Sequence, residues 1–302
     1  MVFAAIDIGS NAIRLLISNV FEEENRTIFK EYSLVRVPVR LGEDAFLTGR
    51  ISVEKSLAVV KAMIAFKHLM EIHRPLAFKA LATSAMRNAE NGPRLVEEIW
   101  NQTNIDVEII DGQTEAEIIY STHIAEEMLD GKSYLYIEVG GGSTELSLFS
   151  HDANVFSRSF PVGSVRLLHE LVDKSDWSEM KSWVNEHVLG YKPLEAIGTG
   201  GNINSILKLV GLKEGKPISI KRLKKISRHI ESFTLVDRVK ELGLRPDRAD
   251  VIIPAIDIYL AVMSWAGISR VIVPKVGLAD GIIHMLYEKY RRERELKQSR
   301  PA

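Results

Sequence analysis

The sequence predicts an α/β protein made of two related halves, and three observations carry that expectation. A pattern of strand, carboxylate, glycine turn and strand opens the chain at Ile6-Asp7-Ile8-Gly9 and returns at Ile137-Glu138-Val139-Gly140. Between and after these repeats, apolar runs of strand length alternate with segments of helical periodicity. The 302 residues exceed the size at which one core usually keeps growing, so two domains are favoured. Their expected bounds are residues 1–124 and 125–302, with the last helix free to pack back on the first domain.

Each element has a local reason. Phe3 to Asp7 is an apolar run ending at a carboxylate and the turn Gly9-Ser10-Asn11, and Ala12 to Val20 resumes it as a second strand. Glu22 to Asn25 make a polar turn before a third strand at Thr27 to Val37. Ser52 is a helix N-cap ahead of Leu57, Val60 and Ile64, whose helical spacing stops near Arg74-Pro75. A strand at Phe78 to Ala82, a helix at Pro93 to Asn101, a strand at Ile105 to Ile110 and a helix at Thr114 to Leu129 follow. The link between the halves falls around Tyr120 to Gly131. The second half repeats the opening with strands at Tyr134 to Val139, Thr144 to Phe149 and Asn154 to Phe160. Helices at Ser164 to Val172 and Ser178 to Val188, a strand at Leu194 to Gly198 and several further helices complete it.

Composition narrows the function. A formal charge of -1 argues against a dedicated nucleic-acid binder, because affinity built on phosphate contacts normally brings a basic excess. The absence of cysteine excludes disulfides, thiolate metal sites and thiol nucleophiles. The longest apolar stretches, Val2 to Phe21 and Val251 to Met263, carry Asp7 and Arg14, and Pro254 and Asp257, so neither reads as a membrane span. No basic region precedes a clean apolar segment at the N-terminus, and a cytoplasmic protein is expected.

Three glycine turns are candidates for phosphate binding, because successive backbone N–H groups in such turns converge on an anion. They are Gly9-Ser10-Asn11, Gly140-Gly141-Gly142-Ser143, and Gly198-Thr199-Gly200-Gly201, the last preceding a helix whose dipole adds to the effect. One such turn alone reads as an ordinary hairpin; two matching ones from duplicated halves suit a polyphosphate chain and its metal. Asp7, Glu138 and Glu145 are the candidate ligands for Mg²⁺, a hard cation commonly held by one or two carboxylates plus substrate phosphates.

At this point the sequence resembles the exopolyphosphatase and guanosine pentaphosphate phosphohydrolase (Ppx/GppA) family. The matching segments, in family order, are Ala5 to Asn11 with Arg14, Ala82 to Arg87, Ile110 to Ala116, Gly140 to Glu145 and Gly198 to Gly201. Arg248-Ala249-Asp250 and Gly277-Leu278-Ala279-Asp280-Gly281 extend the match over nearly the whole chain. The resemblance implies two ribonuclease-H-like domains of the actin-like ATPase superfamily around a central cleft, in the short form without extra helical domains. It implies Mg²⁺-dependent hydrolysis of the terminal phosphate of inorganic polyphosphate, or of the 5′-terminal phosphate of guanosine pentaphosphate. Under that resemblance Glu115 activates the attacking water and Arg87 acts with it. Gly9, Ser10, Asn11, Arg14, Gly141, Gly142, Ser143, Thr199, Gly200 and Gly201 hold phosphoryl oxygens, and Asp7, Glu138 and Glu145 organise the metal.

Two positions depart from the family pattern: Glu117 stands where arginine is usual, and Glu138 where aspartate is usual. They point to weaker activity or a changed substrate. Thr114 and Glu117 also fit a capping box with Thr114 as N-cap, which would place Glu115 in a first helical turn. The basic segment Lys221, Arg222, Lys224, Lys225 and Arg228 reads as a solvated helix face ahead of a polyanion guide. The four tryptophans read as packing residues. A homodimer is an admissible assembly. The competing readings are a non-catalytic polyphosphate or alarmone sensor and an actin-like ATPase or sugar kinase.

Overall fold

The computed structural model describes residues 1–24, 26–120, 122, 132–150, 153–213, 215–274 and 276–298. In chain order the elements are β1 (Val2–Ile8), β2 (Ile13–Glu23), β3 (Arg26–Val37), α1 (Leu41–Thr48), α2 (Val53–His73), β4 (Ala77–Ala82), α3 (Ser84–Asn88), α4 (Gly92–Thr103), β5 (Val107–Ile109) and α5 (Gly112–Tyr120). They continue as β6 (Ser133–Val139), β7 (Thr144–Ser150), β8 (Ala153–Phe160), α6 (Ser164–Leu168), α7 (Lys174–His187), β9 (Leu194–Thr199), α8 (Gly201–Leu209), β10 (Ile218–Ser219) and α9 (Ile220–Glu231). The chain closes with α10 (Leu235–Lys240), α11 (Pro246–Ala249), α12 (Ile252–Trp265), β11 (Arg270–Ile272) and α13 (Leu278–Gln298). Two units result: Met1–Asp111, Glu117–Thr122 and Leu278–Ala302 form the first, Gly112–Ala116 and His123–Gly277 the second.

The first unit holds a five-stranded sheet in the order β3-β2-β1-β4-β5. β1 runs antiparallel to β2 and parallel to β4, and β4 runs parallel to β5. Both faces of β1 are covered, which is why it reads as an unbroken apolar run rather than an alternating one. Ala4, Ile6 and Ile8 face a core completed by Val59, Met63 and Phe66 of α2 and Ile99 of α4. Phe3 and Ala5 face the other core, built with Ile282, Ile283, Leu286 and Tyr287 of α13. On that side Arg294 donates twice to the Glu22 carboxylate, at 2.8 and 3.0 Å, and Phe3 meets Tyr287 and Tyr290 edge to face.

The second unit holds a six-stranded sheet in the order β10-β11-β9-β6-β7-β8. Its β8-β7-β6-β9-β11 portion repeats β3-β2-β1-β4-β5 in order and in strand direction. The duplication expected from the sequence is therefore a duplicated ribonuclease-H-like sheet. Leu135, Ile137 and Val139 of β6 pack into a core with Trp183, Ile203, Ile256, Tyr259 and Val262.

Several elements differ from the sequence expectation for local reasons. α5 begins at Gly112, two residues ahead of Thr114, so Thr114 lies inside the first turn and is not the N-cap of a capping box. α6 stops at Leu168 instead of Val172, because Glu170 adopts a left-handed φ of 56°. α1 and α3, eight and five residues long, carry too little periodicity to announce themselves. β10 and β11, two and three residues long, interrupt what the sequence presents as helices alone. The expected link at Tyr120 to Gly131 and the far end of the helix expected to reach Leu129 lie outside the described residues, apart from Tyr120 and Thr122.

Candidate active site

The two glycine turns are built alike. Gly9 N–H donates to Ala12 O at 3.1 Å, and Gly140 N–H donates to Ser143 O at 2.9 Å. Each turn is then gripped from behind by the helix start that follows its three-stranded meander. In the first unit, Gly42 N–H of α1 takes Ser10 O at 2.7 Å, and Arg40 N–H takes Asn11 O at 3.1 Å. In the second, Ser164 N–H takes Gly140 O at 3.0 Å, and Val165 and Arg166 N–H take Gly141 O at 2.8 and 3.2 Å. The Arg166 Nε–H takes the third carbonyl, Gly142 O, at 3.0 Å. No backbone acceptor takes the N–H groups of Gly141, Gly142 or Ser143 among the described residues. Because N–H and C=O of a peptide point in opposite directions, carbonyls held from behind aim the following amides forward, which is the geometry of an anion-binding nest.

Around the first turn, Arg14 Nη1 lies 3.1 Å from Asp7 Oδ2, and the two residues face each other in the β1–β2 register. Burial raises the Asp7 pKa, and the Arg14 charge and hydrogen bond oppose that rise only in part. The Ser10 hydroxyl is 2.8 Å from the Ser84 hydroxyl, so the Ala82 to Arg87 motif packs beneath the turn. Arg87 Nη1 donates to Ile110 O at 2.5 Å, clamping the segment that leads into α5.

In the second unit the residues at the positions of Asp7 and Arg14 are both acidic: Glu138 and Glu145 are directly opposed in the β6–β7 register. Each has its own support. The Thr199 hydroxyl lies 3.5 Å from Glu138 Oε2, and Gly200 precedes α8 at a φ of 90°. A Cβ on Gly200 would stand 3.1 Å from Glu138 Oε1, so glycine there serves both the turn and the approach of the carboxylate. Ser159 Oγ donates to Glu145 Oε1 at 2.8 Å, and Gly112 sits over that pair. A Cβ on Gly112 would fall 2.4 Å from Ser159 Cβ and 3.4 Å from Glu145 Oε1. Glu115, buried to 9% exposure, follows in the first turn of α5. Like charges opposed across two strands destabilise the pair unless a cation or proton stands near. Two opposed carboxylates therefore suit a divalent cation completed by water and substrate oxygens. Among the described residues no group of three or more His, Asp or Glu is placed to hold a metal alone. Asp7, the third expected ligand, belongs to the first unit and is paired with Arg14.

Apart from Arg248, sequence reasoning does not single out the residues that hold these groups. Tyr259 is fully buried and its hydroxyl donates to Ile137 O at 2.9 Å and Thr199 O at 3.2 Å, tying β6 to β9 below Glu138. Burial, with the nearby Glu138 charge, raises its pKa well above the ordinary phenol value. Asn202 donates to Val139 O at 2.9 Å, and Arg248 Nη1 donates to Asn202 Oδ1 at 2.5 Å, so the Arg248-Ala249-Asp250 motif reaches the base of the turn. The basic segment lies on α9 with Lys221, Arg222, Lys224, Lys225 and Arg228 exposed. Trp183 is buried against Phe160, and Trp177 meets Trp265 edge to face, whereas Trp100 is half exposed.

A duplicated frame of this kind, with glycine turns and carboxylates at its strand ends, has the actin-like fold. Residues 20–290 match the model of the Ppx/GppA phosphatase family, and the chain belongs to that family of phosphoanhydride hydrolases. It is 29% identical over 297 residues to the bifunctional 3-dehydroquinate synthase/phosphatase of Fusobacterium nucleatum, spanning 89% of this chain but 44% of that protein. It is 26% identical over 313 residues to exopolyphosphatase 2 of Mycobacterium tuberculosis, covering 92% of this chain and 96% of the other. Among solved structures, an exopolyphosphatase from Cytophaga hutchinsonii superposes with a TM-score of 0.81 at 21% identity, over 96% of this chain and 98% of that one. No helix among the described residues is long and apolar enough to cross a membrane.

Proposed function

We propose that this chain is an exopolyphosphatase that removes the terminal phosphate of inorganic polyphosphate, with the 5′-terminal phosphate of guanosine pentaphosphate as the second substrate of the same site. The observation that carries this reading is the Gly140–Ser143 turn, whose carbonyls are held from behind next to the opposed Glu138 and Glu145. The name and full-length coverage of the Mycobacterium tuberculosis relative favour polyphosphate. Phosphoryl transfer asks the protein mainly for positioning and charge neutralisation, and backbone amides aimed at the phosphoryl oxygens supply both. In this reading Glu138 and Glu145 hold Mg²⁺, which when bound offsets the charge developing on the phosphoryl oxygens. Glu115, in the first turn of α5 where the helix dipole favours an anion, accepts the proton of the attacking water.

The test is phosphate release from long-chain polyphosphate and from guanosine pentaphosphate, with and without Mg²⁺, for the unaltered chain and Glu115→Ala. Metal-dependent release that falls by about 10²–10⁴-fold in the variant is expected of a lost general base. Binding of either substrate without any release would instead make the chain a sensor, with Glu117→Arg and Glu138→Asp the first substitutions to make.

A further inference from the structure

The two turns differ in how the third carbonyl is held. In the first unit Asn11 O is taken by a main-chain donor, Arg40 N–H at 3.1 Å, which no substitution other than proline removes. In the second unit Gly142 O is taken by a side-chain donor, Arg166 Nε at 3.0 Å. The Gly142 carbonyl and the Ser143 amide are two ends of one peptide plane, so a donor fixed on the oxygen fixes where the Ser143 N–H points. The other two carbonyls of the turn are held by backbone N–H groups of α6, with the Ser164 hydroxyl adding a second donor to Gly140 O at 3.0 Å, so among the described residues this plane is the one held by a side chain without a backbone donor.

We propose that Arg166 is the positioning residue of the second turn: it does not contact phosphate but sets the direction of the Ser143 amide, and through it the affinity of the turn for a phosphoryl oxygen. This rests on the reading of that turn as the phosphate cradle. The chemistry requires a donor at the Nε position and not a positive charge. Glutamine places an N–H₂ the same number of bonds from Cα as Arg Nε and carries no charge, whereas lysine keeps the charge and lacks a donor at that position.

The experiment titrates the unaltered chain, Arg166→Leu, Arg166→Gln and Arg166→Lys with tripolyphosphate by calorimetry. Thermal midpoints and the amide resonances of Gly141, Gly142 and Ser143 are followed in parallel. Arg166→Leu is expected to weaken binding on the order of tenfold, the weight of one hydrogen bond to a charged ligand misaimed, and to reduce the Ser143 shift on anion addition. Arg166→Gln is expected to restore both, with Arg166→Lys the poorer of the two conservative replacements. Equal binding in all four proteins overturns the proposal. So does the reverse order, with lysine restoring and glutamine failing, since that would make Arg166 a direct charge contact. Amides that do not move in the unaltered chain overturn it without any variant. Phosphate release is scored separately: a chain that binds tripolyphosphate in the expected order but releases nothing overturns the hydrolase reading and leaves this one standing.

Discussion

Replacing Gly112 with alanine separates a helix that merely starts near the site from one whose placement the site dictates. The added Cβ would stand 2.4 Å from Ser159 Cβ and 2.7 Å from Ser159 Oγ. Carbon atoms settle at about 3.5 Å or beyond, so roughly 1 Å of movement is required. Ser159 cannot supply it by rotating, because its Cβ is fixed to β8, which pairs with β7 at Glu145↔Ser159. Rotating Oγ away would also break its 2.8 Å hydrogen bond to the Glu145 carboxylate. The start of α5 must therefore lift, carrying Glu115 with it. Overpacking of this size costs about 1–3 kcal/mol. Helix propensity pulls the other way by up to about 1 kcal/mol in favour of alanine, so a net loss can come only from the collision. Urea denaturation is the assay, read together with phosphate release. Gly112→Ala should lower the unfolding midpoint and the rate, and adding Ser159→Gly should return most of the midpoint but not the rate, since Glu145 then lacks its donor. An unchanged midpoint in Gly112→Ala, or single effects that simply add, would refute the reasoning.

Other substitutions test other joints. Gly200→Ala must adopt a φ of 90° with its Cβ 3.1 Å from Glu138 Oε1, and should cost about 1–3 kcal/mol in a urea melt while raising KM for polyphosphate. Tyr259→Phe leaves Ile137 O and Thr199 O without a shared buried donor, for an expected loss of about 1–3 kcal/mol by calorimetry. The Glu22 pKa is lowered below the 4.5 of a free glutamate, first by the Arg294 hydrogen bond. The stability this confers is present above 4.5 and is lost as pH falls through the lower folded value, so Glu22→Gln should flatten that acid limb of a melting profile. Asp257 behaves oppositely: burial first, and then the Glu231 charge, raise its pKa above 3.8. Stability therefore declines as pH rises through its folded value, and Asp257→Asn should raise the thermal midpoint at pH 7 but not at pH 3.

The sequence was most informative where chemistry and repetition coincide. Strand, carboxylate and glycine recur in a fixed order, and local patterning sufficed to place β1, β2, β6 and β7 and the turns between them. Strand register is what turns Asp7 and Arg14 into an ion pair and the equivalent Glu138 and Glu145 into opposed carboxylates, and a repeat in sequence does not reveal that contrast. Arg166, Ser159 and Tyr259 escaped notice because their roles are set by partners 24, 14 and 122 residues away. Thr114 misled for a related reason. Its spacing to Glu117 satisfies a capping pattern, but the helix start lies at Gly112, which sits against Ser159.

The return of α13 to the first unit has a consequence for how the protein comes into being. The face of β1 that carries Phe3 and Ala5 is covered by residues from Leu278 onward, and the second unit lies between them in the chain. At a synthesis rate of about 5–20 residues per second, the first sheet waits on the order of ten seconds or more with one apolar side uncovered. The half that is made first is thus the half completed last. A nascent chain stalled before Leu278 exposes a surface that chaperones would meet and a finished molecule never shows.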